Sequence, residues 1–166
     1  MSKFLALIII ILLFGAIFYV YNVNTNNVGV KIEKLKLKYT IGENASSDQI
    51  LLFSKDLSKM AKTATNSDKK RLVFESKLWS ATGIAKNLAG ILESGDNFAD
   101  NCNTNVPSLK QQLKQGLADL KEAKQDYELV KTQYSNVEQK DLESRFSTVE
   151  YSLSMSDDLL YIFCPE

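Results

Sequence analysis

The two residues with the most distinctive chemistry are Cys102 and Cys164, the only thiols in a chain of 166 residues that contains no histidine. Their separation excludes the C-x-x-C arrangement in which one thiolate is activated for exchange, so a redox-active pair is not indicated. A structural disulfide is the better reading: bridging them closes a loop of about 60 residues and stabilises by about 4 kcal/mol in the chain-entropy model. The alternative is two unrelated reduced thiols, which a domain inside the cell would require.

The lack of histidine removes the commonest general base, metal ligand and pH switch. Glycine-rich phosphate loops, G-x-S-x-G elbows and H-E-x-x-H motifs are absent as well. The sequence therefore points to no enzyme, no catalytic residue and no cofactor. Glu93, Asp96, Asn97, Asp100 and Asn101 collect hard oxygen ligands beside Cys102. They match no EF-hand spacing, and loop solvation with helix-end capping accounts for them, so no metal site is assigned. Asp157 and Asp158 oppose the dipole at the end of the last helix, which favours some role for them. Trp79, Tyr127, Tyr134, Tyr151 and Tyr161 could line a ligand pocket between helices, although aromatic residues at helical spacing more often form a core or its edge. Lys plus Arg balances Asp plus Glu at 20 each, leaving no excess charge to hold a phosphate backbone, and nucleic-acid binding is not expected. Asn44-Ala45-Ser46 fits a glycosylation sequon, which makes Asn44 a candidate acceptor.

The elements that position these residues begin with an apolar run, Phe4 to Tyr21, that carries no charge. At 1.5 Å per residue its roughly 18 residues reach about 27 Å, enough to cross a hydrocarbon core. Tyr19 and Tyr21 suit an interfacial belt, and Lys3 marks the other end. A cleaved signal peptide is the competing reading; the run exceeds a usual h-region and no A-x-A-like site follows it, so an uncleaved transmembrane anchor over residues 1–21 is expected. Lys3 and the amino terminus favour a cytoplasmic N-terminus, while Lys31, Lys34, Lys36 and Lys38 count the other way. The uncharged stretch Asn22–Asn27, the sequon and the paired cysteines favour an extracytoplasmic C-terminal domain.

Residues 22–45 read as an extended linker or stalk, because Leu35, Leu37, Tyr39 and Ile41 alternate with Lys34, Lys36, Lys38 and Thr40. A strip of this kind could also lie on anionic headgroups. Residues 46–166 read as an all-α, antiparallel up-and-down four-helix bundle. Its first helix opens with a Ser46/Gln49 capping box and spaces Ile50, Phe53, Leu57, Met60 and Ala64 by three and four. The second follows the turn Asn66-Ser67-Asp68, carries Phe74, Leu78, Ala81, Ala85, Leu88 and Leu92, and ends at Gly95. Gly83 and Gly90, seven apart, imply close helix contact on one face. The third starts near Pro107 and presents Leu113, Leu117, Leu120, Tyr127, Val130 and Tyr134. The fourth follows an Asn136/Gln139 capping box and presents Leu142, Phe146, Val149, Leu153, Leu160 and Phe163. In that order Cys102, in the loop between the second and third helices, and Cys164, after the fourth, fall at the same end.

No motif carries a family resemblance. The function that best fits is a membrane-anchored structural or protein-interaction module, with the lipid bilayer and a protein as its partners. A ligand-sensing bundle that works with a partner subunit is the first alternative. The second is a pilin-like filament subunit, against which stand the missing processing Gly or Ala after Lys3 and the missing acidic residue in the apolar helix.

Overall fold

A computed structural model describes residues 27–93 and 98–164, with the side chains of 93, 98–105 and 163 outside that description. The expected anchor over 1–21 therefore lies outside the described residues. Among the described residues no helix is long and apolar enough to cross a membrane. The described chain is all-helical, with five α-helices: α1 Val28–Lys38, α2 Ser47–Thr63, α3 Asn66–Glu93, α4 Phe98–Val130 and α5 Asn136–Phe163, with a single 3₁₀ turn at Lys131–Gln133. It forms two compact units that divide between Lys38 and Tyr39.

Helix α1 corrects the expectation of an extended linker over 22–45. The alternation of Leu and Lys between residues 34 and 38 mimics a strand, yet Leu, Lys and Glu are good helix formers and no second strand is present among the described residues to pair with it. Its buried residues, Val28 and Ile32, stand four apart, the spacing of one helical face. Leu37, which a strand would have buried with Leu35, is 80% exposed. The turn between α1 and α2 holds Thr40 at φ 52°, the left-handed region that a β-branched residue seldom occupies.

In the second unit, α2 begins as the sequence implies. Ser46 is its N-cap, and the reciprocal bonds of a capping box join it to Gln49, which satisfies two donors that helix geometry leaves unpaired. Helix α4 begins nine residues before Pro107 rather than at it, so the proline lies inside the helix. Lacking an N–H, Pro107 leaves the carbonyl four residues earlier without its helical donor. Cys102 is accordingly within the first two turns of α4 and not in a loop. The reversal before α5 occurs where expected, through the 3₁₀ turn and an extended Tyr134. Its capping box is one residue earlier than the sequence reading placed it, using Ser135 and Glu138 in place of Asn136 and Gln139. Gln139 instead donates through Nε2 to the carbonyls of Lys131 and Tyr134, tying the corner together.

Within the second unit, successive helices from α2 to α5 are antiparallel. Ser54 meets Ser76 across α2 and α3, Lys77 meets Asp126 and Asn87 meets Gln112 across α3 and α4, and Lys124 meets Glu150 across α4 and α5. The main core is nevertheless built from three helices, α3, α4 and α5, with Phe74, Leu78, Leu88, Leu120, Leu153 and Leu160 among its most buried members. Helix α2, with 17 residues against 28 in α3, packs chiefly on the flank of α3. The bundle is thus a three-helix core with a fourth helix laid on one side.

That flank depends on a close approach. A Cβ built on Gly83 would come within 2.8 Å of Leu51 Cγ and Cδ2, whereas one on Gly90 would meet nothing within 4 Å. Of the two glycines expected to mark helix contact, only Gly83 does. Gly116 supplies a second close approach, at 3.0 Å from Ile84 Cγ2 and Leu153 Cδ2, where α3, α4 and α5 meet.

Candidate functional site

Among the described residues, the most concentrated polar arrangement of the bundle centres on Glu75, which is 5% exposed on the inward side of α3. One turn later on the same helix, Trp79 Nε1 donates to Glu75 Oε2 at 3.0 Å. From the corner before α5, the Tyr134 hydroxyl donates to Glu75 Oε1 at 2.8 Å. Each carboxylate oxygen therefore has a donor, the condition under which a buried charge is tolerated. Two guanidinium groups flank the pair: Arg71 lies over the Tyr134 ring at 4.3 Å and Arg145 over the Trp79 ring at 4.1 Å from the centroid. Arg to aromatic face is favourable stacking, and it brings positive charge to a buried carboxylate.

The electrostatics follow from this packing. Burial raises the Tyr134 phenol far above its ordinary value, and the charge of Glu75 raises it further, with Arg71 opposing. Tyr134 is consequently held as a neutral donor. Burial lowers the Arg145 guanidinium, with Glu75 and Asp141 acting against that shift. Nothing in the arrangement presents a nucleophile or a base to solvent; its chemistry is that of a pin joining α3 to the α4–α5 corner, with Arg145 adding a contact from α5.

The aromatic residues divide by position. Phe74 contacts Tyr127, Tyr134 and Phe146 at centroid distances of 5.6, 5.8 and 6.2 Å. Phe53 packs edge-on to Trp79 at 5.2 Å. Trp79, Tyr127 and Tyr134 are buried in these clusters, while Tyr151 and Tyr161 are 66% and 84% exposed. The five residues thus do not come together around one cavity.

A groove of about 380 Å³ opens on the surface between α4 and α5, lined by Lys110, Leu113, Lys114, Leu117, Asp157, Leu160 and Tyr161. Leu113 and Leu160 form its buried floor, and Leu117 and Tyr161 stand exposed at its edges. Asp157 faces this groove, while Asp158 is simply exposed. Along the outer side of α5, Tyr151, Met155 and Ile162 are also exposed, and their spacing places them within about 40° of one another on the helix.

Cys164 caps α5 and is 3% exposed, and there is no free cysteine among the described residues. Cys102 has its backbone in α4, with its side chain outside the described residues, and so do the side chains of Glu93, Asp96, Asn97, Asp100 and Asn101. No group of His, Cys, Asp and Glu suited to a metal occurs among the described residues. Asn44 is exposed in the turn before α2.

Glu75, the centre of the buried cluster, is a residue that the hydrophobic pattern passes over. Its signal in the sequence is the run Arg71, Glu75, Trp79 at spacings of four, which puts a cation, an anion and an indole N–H on one helical line. No protein-family model, curated protein or solved structure matches the chain.

Proposed function

We propose that the chain is a single-pass membrane protein, anchored through residues 1–21, whose helical bundle over 46–166 lies outside the cytoplasm and serves as a structural or protein-interaction module. The observation that carries this reading is the contrast between a filled aromatic core and an exposed apolar groove. Trp79, Tyr127 and Tyr134 occupy the space that a ligand sensor would leave open, each packed against another ring. Leu117 and Tyr161, by contrast, expose apolar surface beside the floor of Leu113 and Leu160, the composition of a site that a protein partner covers.

The outward orientation is supported by the chemistry of three residues. Cys102 and Cys164 lie near the start of α4 and the end of α5, which antiparallel packing brings to one end, and a bridge between them belongs to an oxidising compartment. Asn44, exposed in its turn, is accessible as a glycosylation acceptor.

The test places a photo-crosslinking amino acid at Tyr161, at Leu117 and, as a reference, at the exposed Lys121, in the full-length chain within intact cells. A discrete adduct from the first two positions and none from Lys121 is the expected result. Absence of any adduct, or equal adducts from all three, rejects the groove as a binding surface. Thiol labelling from each side of the membrane, with and without reductant, checks the orientation separately: labelling of the cysteines from the cytoplasmic side alone rejects it.

A further inference from the structure

We infer that the exposed face of α1 docks on anionic lipid headgroups, an inference that rests on the reading of residues 4–21 as a membrane anchor. Only the six residues Asn22–Asn27 separate that apolar run from α1, and six residues extend at most about 20 Å. The helix is therefore confined to the neighbourhood of the bilayer surface. Its charges are arranged for that surface. Lys31 and Lys34 are exposed, and at 100° per residue they share an arc of about 60° on one side of the helix. The only carboxylate of α1, Glu33, is engaged by Lys36 at 2.8 Å and lies off that arc. Beside the lysines, and opposite the buried Val28 and Ile32, stands Leu37 at 80% exposure. A lysine arc bordering an unburied leucine is the pattern by which a helix lies in a headgroup layer, with the cations on phosphate and the apolar side chain in the acyl boundary. A free polyanion would satisfy the lysines but would leave Leu37 in water.

Full-length protein in lipid nanodiscs provides the test, with discs of zwitterionic lipid alone compared against discs holding about 30 mol % anionic lipid. The rate at which a water-soluble amine reagent modifies Lys31 and Lys34 is read by peptide mass spectrometry, with Lys121 and Lys140 of the bundle as references. The anionic discs are expected to slow modification of Lys31 and Lys34 about five-fold, the reference lysines staying unchanged. Salt at about 1 M is expected to restore the rates. The Leu37→Asp substitution is expected to abolish the difference between the two lipids without altering the unfolding of the bundle. Equal rates in both discs overturn the inference while leaving the anchor intact, and so does a fall shared with the reference lysines. A chain that is released from membranes by alkaline extraction fails at the anchor, and this inference fails with it.

Discussion

The Tyr134 hydroxyl donates to Glu75 Oε1 at 2.8 Å, a bond between residues 59 apart in the chain. It ties the middle of one helix to the corner that starts another, so the α4–α5 reversal is fixed by a side chain as well as by its own backbone. Hydrogen bonds to a charged group contribute about 2 kcal/mol, and a buried charge stripped of partners costs more. Tyr134→Phe is therefore expected to destabilise by about 2 kcal/mol, and Glu75→Ala by about 3 kcal/mol, since the latter leaves both Trp79 Nε1 and the Tyr134 hydroxyl without their acceptor. Urea denaturation measures both. Losses below about 0.5 kcal/mol in each variant would show that the cluster does not pin the corner.

The same tyrosine makes stability depend on alkaline pH. Tyr134 is raised by burial and by Glu75, and Tyr127 chiefly by burial. Lys77 is also raised: burial pulls its ammonium down, but Asp126 and Glu122 outweigh that. Each group has a folded pKa above its unfolded one, so the folded chain binds more protons once pH passes the unfolded value. The stability involved is fully present below that value, near pH 10, and is lost as pH rises beyond it, at up to about 1.4 kcal/mol per pH unit for each group. Between about pH 9 and pH 11, Tyr134→Phe is expected to lose less stability than the wild type, because the phenol no longer contributes. Parallel pH profiles for the two proteins would remove Tyr134 from the account.

Much of this architecture is legible in the residues because helix signals are local. Ser46 and Gln49 form the capping box their spacing implies, and the apolar stripes of the last three helices are buried except at Leu117, which is 41% exposed, and at Phe163, whose side chain lies outside the described residues. Two failures have physical causes. The segment Ser135-Asn136-Val137-Glu138-Gln139 holds two overlapping boxes, and choosing between them takes the register of the corner, which Tyr134 sets from outside the segment. Residues 34–38 alternate with period two, yet a strand needs a partner that the described residues do not supply, so the intrinsic preference of Leu and Lys for helix prevails in α1. Glu75 escapes notice because a carboxylate on an apolar face reads as a break in the pattern until its donors are placed.

Gly83 and Gly90 separate two roles that their shared spacing conceals. Both sit in the interior of α3, where Gly costs about 1 kcal/mol relative to Ala. Gly90→Ala meets nothing within 4 Å and is expected to stabilise by about 0.5–1 kcal/mol. Gly83→Ala would place its Cβ 2.8 Å from Leu51 Cγ. Displacing α2 costs more than the helix gains, and a net loss of about 1 kcal/mol is expected. Combining it with Leu51→Ala makes room for the methyl, so a double-mutant cycle should show a favourable coupling of about 1 kcal/mol. Additive effects of the two substitutions would mean that Leu51 is not what Gly83 accommodates.

A bridge between Cys102 and Cys164 would close the bundle at the end away from the Glu75 cluster. Cys164 is 3% exposed, and its N–H donates to the Leu160 carbonyl at 3.1 Å, so its position is fixed by the last turn of α5. Closing about 60 residues of chain is worth about 4 kcal/mol, and reduction is expected to lower the urea stability of the wild type by an amount of that order. Substituting Cys164 would also open the core, which confounds a crosslink with a cavity. Cys102→Ser avoids this because it leaves Cys164 packed against its neighbours. That variant is expected to match the reduced wild type and to show no response to reductant. A wild type whose unfolding is the same with and without reductant would rule out the bridge, and with it the support that the cysteines lend to an extracytoplasmic bundle.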